Sequence, residues 1–320
     1  MTPTPQPQFP DAFSAVKALG RGVNIGNALE APNEGDWGVV IQKEYFDLIK
    51  QAGFDSIRLP VRWSTHADKA APYTIDPKFF ARVDQVVNWA LAQNLQVVLN
   101  IHHYEEMATD PTGKRERFLS LWKQIAEHYK DYPPALVFEV MNEPNGTLDA
   151  SLWNSISADA LQIIRESNPE RNVVIGGVNW NGYDQLAFLK LPDTDPHIIA
   201  TFHYYNPFHF THQNAEWVPG SNAWAGTTWN ATDSEKAEIT GNFDQVASWA
   251  KAHNVPVLVG EFGAYSKADM ASRARWTDFV AREAERRGFA WTYWEFCSGF
   301  GAYNPYTRQW NEPILKALIP

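Results

Sequence analysis

Two glutamates stand where apolar runs stop. Asn142-Glu143-Pro144 closes the run 136–141, and Glu261-Phe262-Gly263 closes the run 255–260. Short β-branched runs bounded by turn residues read as buried strands. A carboxylate at the carboxyl end of such a strand, in a chain that alternates strands with helices, lies where closed α/β barrels keep their reactive groups. Two of them facing each other across one cleft, in different environments, are equipment for cleaving glycosidic bonds.

The elements that must position this pair are legible as periodicity. Eight extended runs occur, at 22–28, 56–61, 96–101, 136–141, 172–177, 198–202, 256–260 and 289–293. Amphipathic helical segments separate most of them, at 41–52, 79–91, 118–129, 152–164, 243–252 and 276–284, with a short, weak one near 183–189. Gly53, Asn94, Asn168-Pro169, Asn254 and Gly288 mark their ends. Eight alternations without a break in composition predict one (β/α)8 TIM barrel over residues 11–320, with 1–10, rich in proline, as a flexible linker or processing stub. The open doubly wound sheet is disfavoured. Its phosphate-binding loop would have to be Gly20-Arg21-Gly22-Val23-Asn24-Ile25-Gly26, whose glycines fall around and within the first strand and not in a turn opening a helix. The connection from Asn206 to Ala237 is too long and too aromatic to be a passive link.

Nearly every run ends in a polar residue. Asn27 and Glu30 follow the first, Arg58 lies in the second, and His102 and His103 end the third. Asn142 and Glu143 end the fourth, Trp180 follows the fifth, and His203 and Tyr205 end the sixth. Glu261 ends the seventh, and Trp294 and Glu295 the eighth. A lone strand-end histidine is usually structural, but this many polar groups at one end of one sheet form a site. Arg58 and a hydroxyl donor such as Tyr205 would keep Glu261 ionised, while a less polar setting would keep Glu143 protonated.

Arg58-Leu59-Pro60, Asn100-Ile101-His102-His103, Asn142-Glu143-Pro144, His203-Tyr204-Tyr205, Gly260-Glu261-Phe262-Gly263 and Tyr293-Trp294-Glu295 together resemble the motif set of glycoside hydrolase family 5 cellulases. They occur in the family's order and span most of the chain. The resemblance implies retention of anomeric configuration, with Glu143 as acid/base, Glu261 as nucleophile and a carboxyl spacing of about 5–5.5 Å. It also implies Asn142 near the sugar 2-hydroxyl, His102 and His203 in the network around the pair, and Trp294 as the platform under the sugar at the scissile bond. The implied substrate is a β-1,4-glucan, with mannan, glucomannan or xyloglucan as the near alternative. A non-catalytic carbohydrate-binding barrel and a phosphosugar isomerase or aldolase are the distant ones.

Most of the 14 tryptophans must be core. Trp89, Trp122, Trp249 and Trp276 fall at helical spacing, whereas Trp37, Trp63, Trp180 and Trp217 lie in loops or beyond strands and are candidate sugar contacts. His103, His212, Asn27, Glu30 and Glu295 are candidate hydroxyl partners. His102-His103 with Glu105-Glu106 lacks the ligand spacing of a zinc site, so neither a metal nor another cofactor is expected. The charged stretch 114–117 reads as a solvated helix start.

A net charge of −10 argues against nucleic acid and anionic membrane as partners, since phosphate backbones demand clustered Lys and Arg. No run approaches the ~20 apolar residues of a membrane span. Cys297, the only cysteine, allows no intramolecular disulfide and reads as a packed thiol. A monomer is expected, secreted with its leader absent from this chain; a cytoplasmic location is the alternative.

Overall fold

A computed structural model describes residues 9–320; the stretch 1–8, most of the expected linker, lies outside the described residues. Eight parallel strands close into a barrel: β1 (Arg21–Asn24), β2 (Ser56–Leu59), β3 (Gln96–Asn100), β4 (Leu136–Glu139), β5 (Val173–Gly176), β6 (Ile198–Tyr204), β7 (Val257–Phe262) and β8 (Ala290–Tyr293). Each pairs with its neighbours in sequence, and β1 closes on β8. All eight expected runs are strands. β1 ends four residues before its run does, because residues 25–30 already turn across the rim.

Alternation along the strands divides the chain into two environments. Outward side chains such as Ile57, Leu99, Phe138 and Trp291 join the main core beneath the helices. Inward ones form layers. The lower layer is apolar: Val98, Val137, Val174, Ile199, Leu258 and Ala290 pack against Ala12, Ala15, Val16 and Leu19 of the helix Ala12–Leu19. That helix plugs the floor of the barrel. Asp11 caps it by accepting from the Ser14 N–H. The chain is docked from Phe9 onward, since the Arg171 guanidinium lies 5.1 Å from the Phe9 ring and the Asn172 amide donates to the Pro10 carbonyl.

The next layer up is polar: Asn24, Arg58, Asn100, Glu139, Thr201 and Thr292 are all buried. Polar groups there are tolerable only because each is hydrogen-bonded. The register supports the layer too. Phe202 pairs with Val259 but His203 pairs with Glu261, so β7 carries one extra residue, which brings His203 and Glu261 side by side.

The loop after β6 holds two short helical turns, Phe208–Thr211 and Ser221–Trp224, and ends at the helix Asp233–His253. A reciprocal capping box between Thr232 and Glu235 starts that helix ten residues before the apolar spacing becomes visible. Of the charged stretch 114–117, Arg117 is buried. Its guanidinium donates to the Ser64, Ala67 and Asp68 carbonyls and the Tyr104 hydroxyl, so it is a structural clamp and not solvated.

Candidate active site

Arg58 is the hub. It is wholly buried and grips Glu139 bidentately, with Nε to Oε2 at 2.6 Å and Nη2 to Oε1 at 2.7 Å. Its remaining N–H groups donate to Asn24 Oδ1 at 2.9 Å, Asn142 Oδ1 at 2.7 Å and Glu261 Oε1 at 2.7 Å. Burial opposes its charge, but Glu139 and Glu261 more than compensate and hold the guanidinium protonated. Because the Asn142 oxygen is taken by Arg58, its NH2 is the end left to face the cleft, a donor for a hydroxyl.

Glu261 accepts from Arg58 on one oxygen and from the Tyr205 hydroxyl, at 2.8 Å, on the other. Burial raises its carboxyl above the ordinary range, while His203, Arg58 and the Tyr205 hydroxyl pull it back. Burial also raises the phenol of Tyr205, which therefore stays protonated and able to donate. The Asn100 amide faces His102 Nδ1 at 3.1 Å, which leaves the ring proton on Nε2, 4.0 Å from Glu261 Oε1.

Glu143 is served differently. Burial pushes its carboxyl up to about 7, against a smaller opposing pull from Arg58. Its one side-chain partner is His203 Nδ1 at 2.8 Å from Oε1. Burial lowers His203 to about 4, so the ring is neutral at working pH. On the far side of the ring the Asn181 amide lies 3.4 Å from Nε2. An N–H facing Nε2 makes that nitrogen the acceptor and puts the ring proton on Nδ1, aimed at Glu143. Glu143 has a left-handed backbone, φ 47°, steadied by the Asn145 amide donating to its carbonyl at 2.8 Å.

One oxygen of Glu143 and one of Glu261 lie within 4.8 Å of each other. Direct attack at an anomeric carbon needs carboxyl groups about 5–5.5 Å apart, while water-mediated inversion needs about 6.5–9.5 Å. The pair has the retaining geometry. Together with His203 it also offers three donor atoms at a spacing that a metal ion could span. Both Glu261 oxygens already accept hydrogen bonds, however, and the Arg58 cation sits 2.7 Å from one, a poor setting for a second cation.

The pair lies in an open cleft of about 650 Å³. Asn27, Glu30, His102, His103, Asn142 and Tyr205 line it, as do His212, Trp217 and Trp294. Trp294 stacks parallel to His102 at 5.7 Å. It can sit there because position 263 is glycine: a Cβ would come within 2.1 Å of the Trp294 carbonyl oxygen. Trp217 is 57% exposed and meets Tyr265 edge-on at 4.8 Å.

Three expected sugar contacts are not in the cleft. Glu295 is sealed in, its carboxylate accepting from the backbone N–H groups of Cys297, Ser298 and Phe300. Trp63 is buried and donates to the Asn100 carbonyl. Trp180 is 55% exposed and does not line this cavity, although its backbone N–H donates to the carbonyl of Pro144, next to Glu143. Conversely, Glu139, Asn24 and Asn181 hold the site together and were not singled out in the sequence. The position of Glu139, one alternation before the end of the run 136–141, was the available signal. Adjacent His102 and His103 both reach the cleft because β3 stops at Asn100 and strict alternation stops with it.

The family model for cellulase (glycosyl hydrolase family 5) matches residues 17–299. This chain belongs to glycosyl hydrolase family 5. Within the family, it is 41% identical to endoglucanase H of Acetivibrio thermocellus, over 99% of this chain and 34% of that protein. It is 31% identical to the cellulase/esterase CelE of the same organism, over 96% of this chain and 40% of the other. The chain thus spans well under half of these two curated relatives. Among solved structures, Thermotoga maritima Cel5A in complex with mannotriose superposes with a TM-score of 0.95 at 52% identity, covering 97% of this chain and all of the other. The same enzyme in complex with cellobiose superposes equally well.

Proposed function

We propose that this chain is an endo-acting β-1,4-glucanase that retains anomeric configuration. Glu143 protonates the leaving oxygen while Glu261 attacks the anomeric carbon; Glu143, now a carboxylate, then activates the water that releases the sugar. The observation that carries this reading is the pair's separation, two carboxylate oxygens within 4.8 Å in a single cleft. The unequal surroundings support the roles. Glu261 is held by a cation and a hydroxyl, and Glu143 is left with a raised carboxyl. A proton donor alone is worth about 10²–10⁴ in rate, so the covalent route and its charge stabilisation must supply the rest. The open cleft suits cleavage within a chain, and a polymer too large to enter a cell implies work outside it.

A second reading, activity on β-mannan as well, is favoured by the Cel5A complexes, in which one enzyme at 52% identity holds both mannotriose and cellobiose. Initial rates on carboxymethylcellulose, glucomannan and galactomannan separate the two, and proton NMR of the first-formed product reads its anomeric configuration. Glu261→Gln should abolish turnover and leave oligosaccharide binding intact. An inverted product, or near-normal turnover in that variant, would refute the mechanism.

A further inference from the structure

Two Asn-Gly pairs flank the acid: Asn145-Gly146 after β4 and Asn181-Gly182 after β5. The Asn145 amide donates to the Glu143 carbonyl, and the Asn181 amide faces His203, the partner of the Glu143 carboxyl. An asparagine followed by glycine is poorly placed to keep its side-chain amide, because glycine has no Cβ to screen its own nitrogen from the amide carbon beside it. As sequence the two pairs are equivalent. The fold makes them different.

Asn145 is only partly buried, and Gly146 is exposed in a turn that the Leu148 N–H closes on the Asn145 carbonyl at 3.2 Å. The Gly146 N–H makes no backbone hydrogen bond among the described residues. Glycine is obligatory at this point: φ is 68°, and a Cβ would lie 2.4 Å from the Ala108 carbonyl oxygen. The turn therefore cannot screen Asn145 by placing a branched residue after it. Asn181, by contrast, is wholly buried with its side chain packed over Gly176, and the Gly182 N–H is held by the Asn179 carbonyl at 3.2 Å.

We propose that Asn145 is a site of spontaneous deamidation, and that losing its amide slows proton donation by releasing the backbone of Glu143. The Gly146 nitrogen bonds to the side-chain carbonyl carbon of Asn145; the bond from that carbon to the amide nitrogen breaks, and ammonia leaves with the proton Gly146 gave up. Solvent water then opens the cyclic imide to aspartate or isoaspartate, with no change of oxidation state. Either product puts a carboxylate in place of the NH2 that donates to the Glu143 carbonyl at 2.8 Å, so an acceptor replaces the donor. The left-handed backbone of Glu143 loses the bond that steadies it. The modification stands on the turn alone; its effect on rate rests on Glu143 being the proton donor, as proposed above.

The test is to hold the folded chain in mildly alkaline buffer, withdraw samples over days, and map peptides by mass spectrometry with isoaspartyl methylation as a second readout. Asn145 should convert well before Asn181, and the two should convert at similar rates once the chain is unfolded in urea. As Asn145 converts, kcat/KM on cello-oligosaccharides should fall about 5-fold, the equivalent of one hydrogen bond. Turnover of a dinitrophenyl cellobioside, whose leaving group needs no proton, should hold. Asn145→Asp should start at the lowered rate, and Asn145→Ser, with no amide to lose, should keep its own starting rate over the same days. Asn145 unconverted in the folded chain, or converting no faster than Asn181, would overturn the site. Complete conversion with an unchanged rate on cello-oligosaccharides, or an equal loss on both substrates, would overturn its link to the acid. Failure of the fresh chain to cleave any β-1,4-glucan would overturn the glucanase reading and leave the peptide map to decide the modification.

Discussion

The acid and the nucleophile are the same residue type, and their neighbours make them different. Arg58 and Tyr205 supply Glu261 with two strong donors, whereas Glu143 has a neutral imidazole and a carboxyl near 7. The sign of the pH dependence follows. Glu143 must carry its proton at the start, so kcat/KM should fall as pH rises through about 7, and the acid limb should follow protonation of Glu261. Glu143→Gln should remove that alkaline limb and cost about 10²–10⁴ on β-glucan chains. It should cost far less in the first step with a dinitrophenyl glycoside, whose leaving group needs no proton. Comparable losses on both substrates would contradict the proton-donor role. Both glutamates were legible because each closes an apolar run beside turn residues. Glu295 misled for the same reason: position at a strand end says nothing of which way a carboxylate turns once the backbone bends, and here it turns inward onto amide N–H groups.

At the level of elements, the segment after β5 does more than connect. Asn179, Trp180 and Asn181 are left-handed in succession, with φ of 52°, 58° and 55°. Such residues cost on the order of 1–3 kcal/mol each unless their surroundings compensate. The run delivers the Asn181 side chain beneath His203, where it fits because β5 ends in a glycine: a Cβ at Gly176 would lie 2.5 Å from Asn181 Oδ1. Asn181→Gly keeps the backbone conformation accessible and deletes the amide. It should lower kcat on cello-oligosaccharides about 10-fold, with a shifted alkaline limb, and spare the dinitrophenyl glycoside. Nitrogen-15 shifts of His203 should show the proton on Nδ1 in the unaltered chain; a proton on Nε2 would refute this account. Sequence periodicity could not reveal this turn, because four residues offer no repeat to count. It missed the start of Asp233–His253 for a related reason. The first turns of that helix face solvent and show no apolar stripe, leaving only the capping residues as a sign.

Across the whole molecule, the barrel was readable because eight alternations leave few other closed arrangements; of the polar upper layer only Arg58 and Asn100 were, because Asn24, Glu139, Thr201 and Thr292 lie inside runs that read as apolar strands. The plug helix was not, since its apolar face is too short to distinguish from a loose end. The site's polarity bears on global stability. Burial lowers His66, His102, His103, His203 and His212, so below about pH 6.5 the unfolded chain binds more protons at these sites and stability rises with pH. Burial raises Glu30 to about 8 and Glu143 and Glu295 to about 7, so from about 4.5 upward the folded chain binds more protons at these three; they offset part of the histidine contribution up to about 6.5 and act alone from there to 8, where stability falls. The melting temperature should peak near pH 6.5 and decline to pH 8, and Glu30→Gln should flatten that decline. A melting temperature that climbs between 6.5 and 8 would contradict the assignment.

The floor of the barrel carries a practical corollary. The helix Ala12–Leu19 closes the end opposite the groove, and Ile319 lies against Gly53, just ahead of β2, at that same end. Both ends of the described chain therefore lie on the underside. A solid support coupled to the described ends would lie beneath the enzyme and leave polymer free to cross the opposite face.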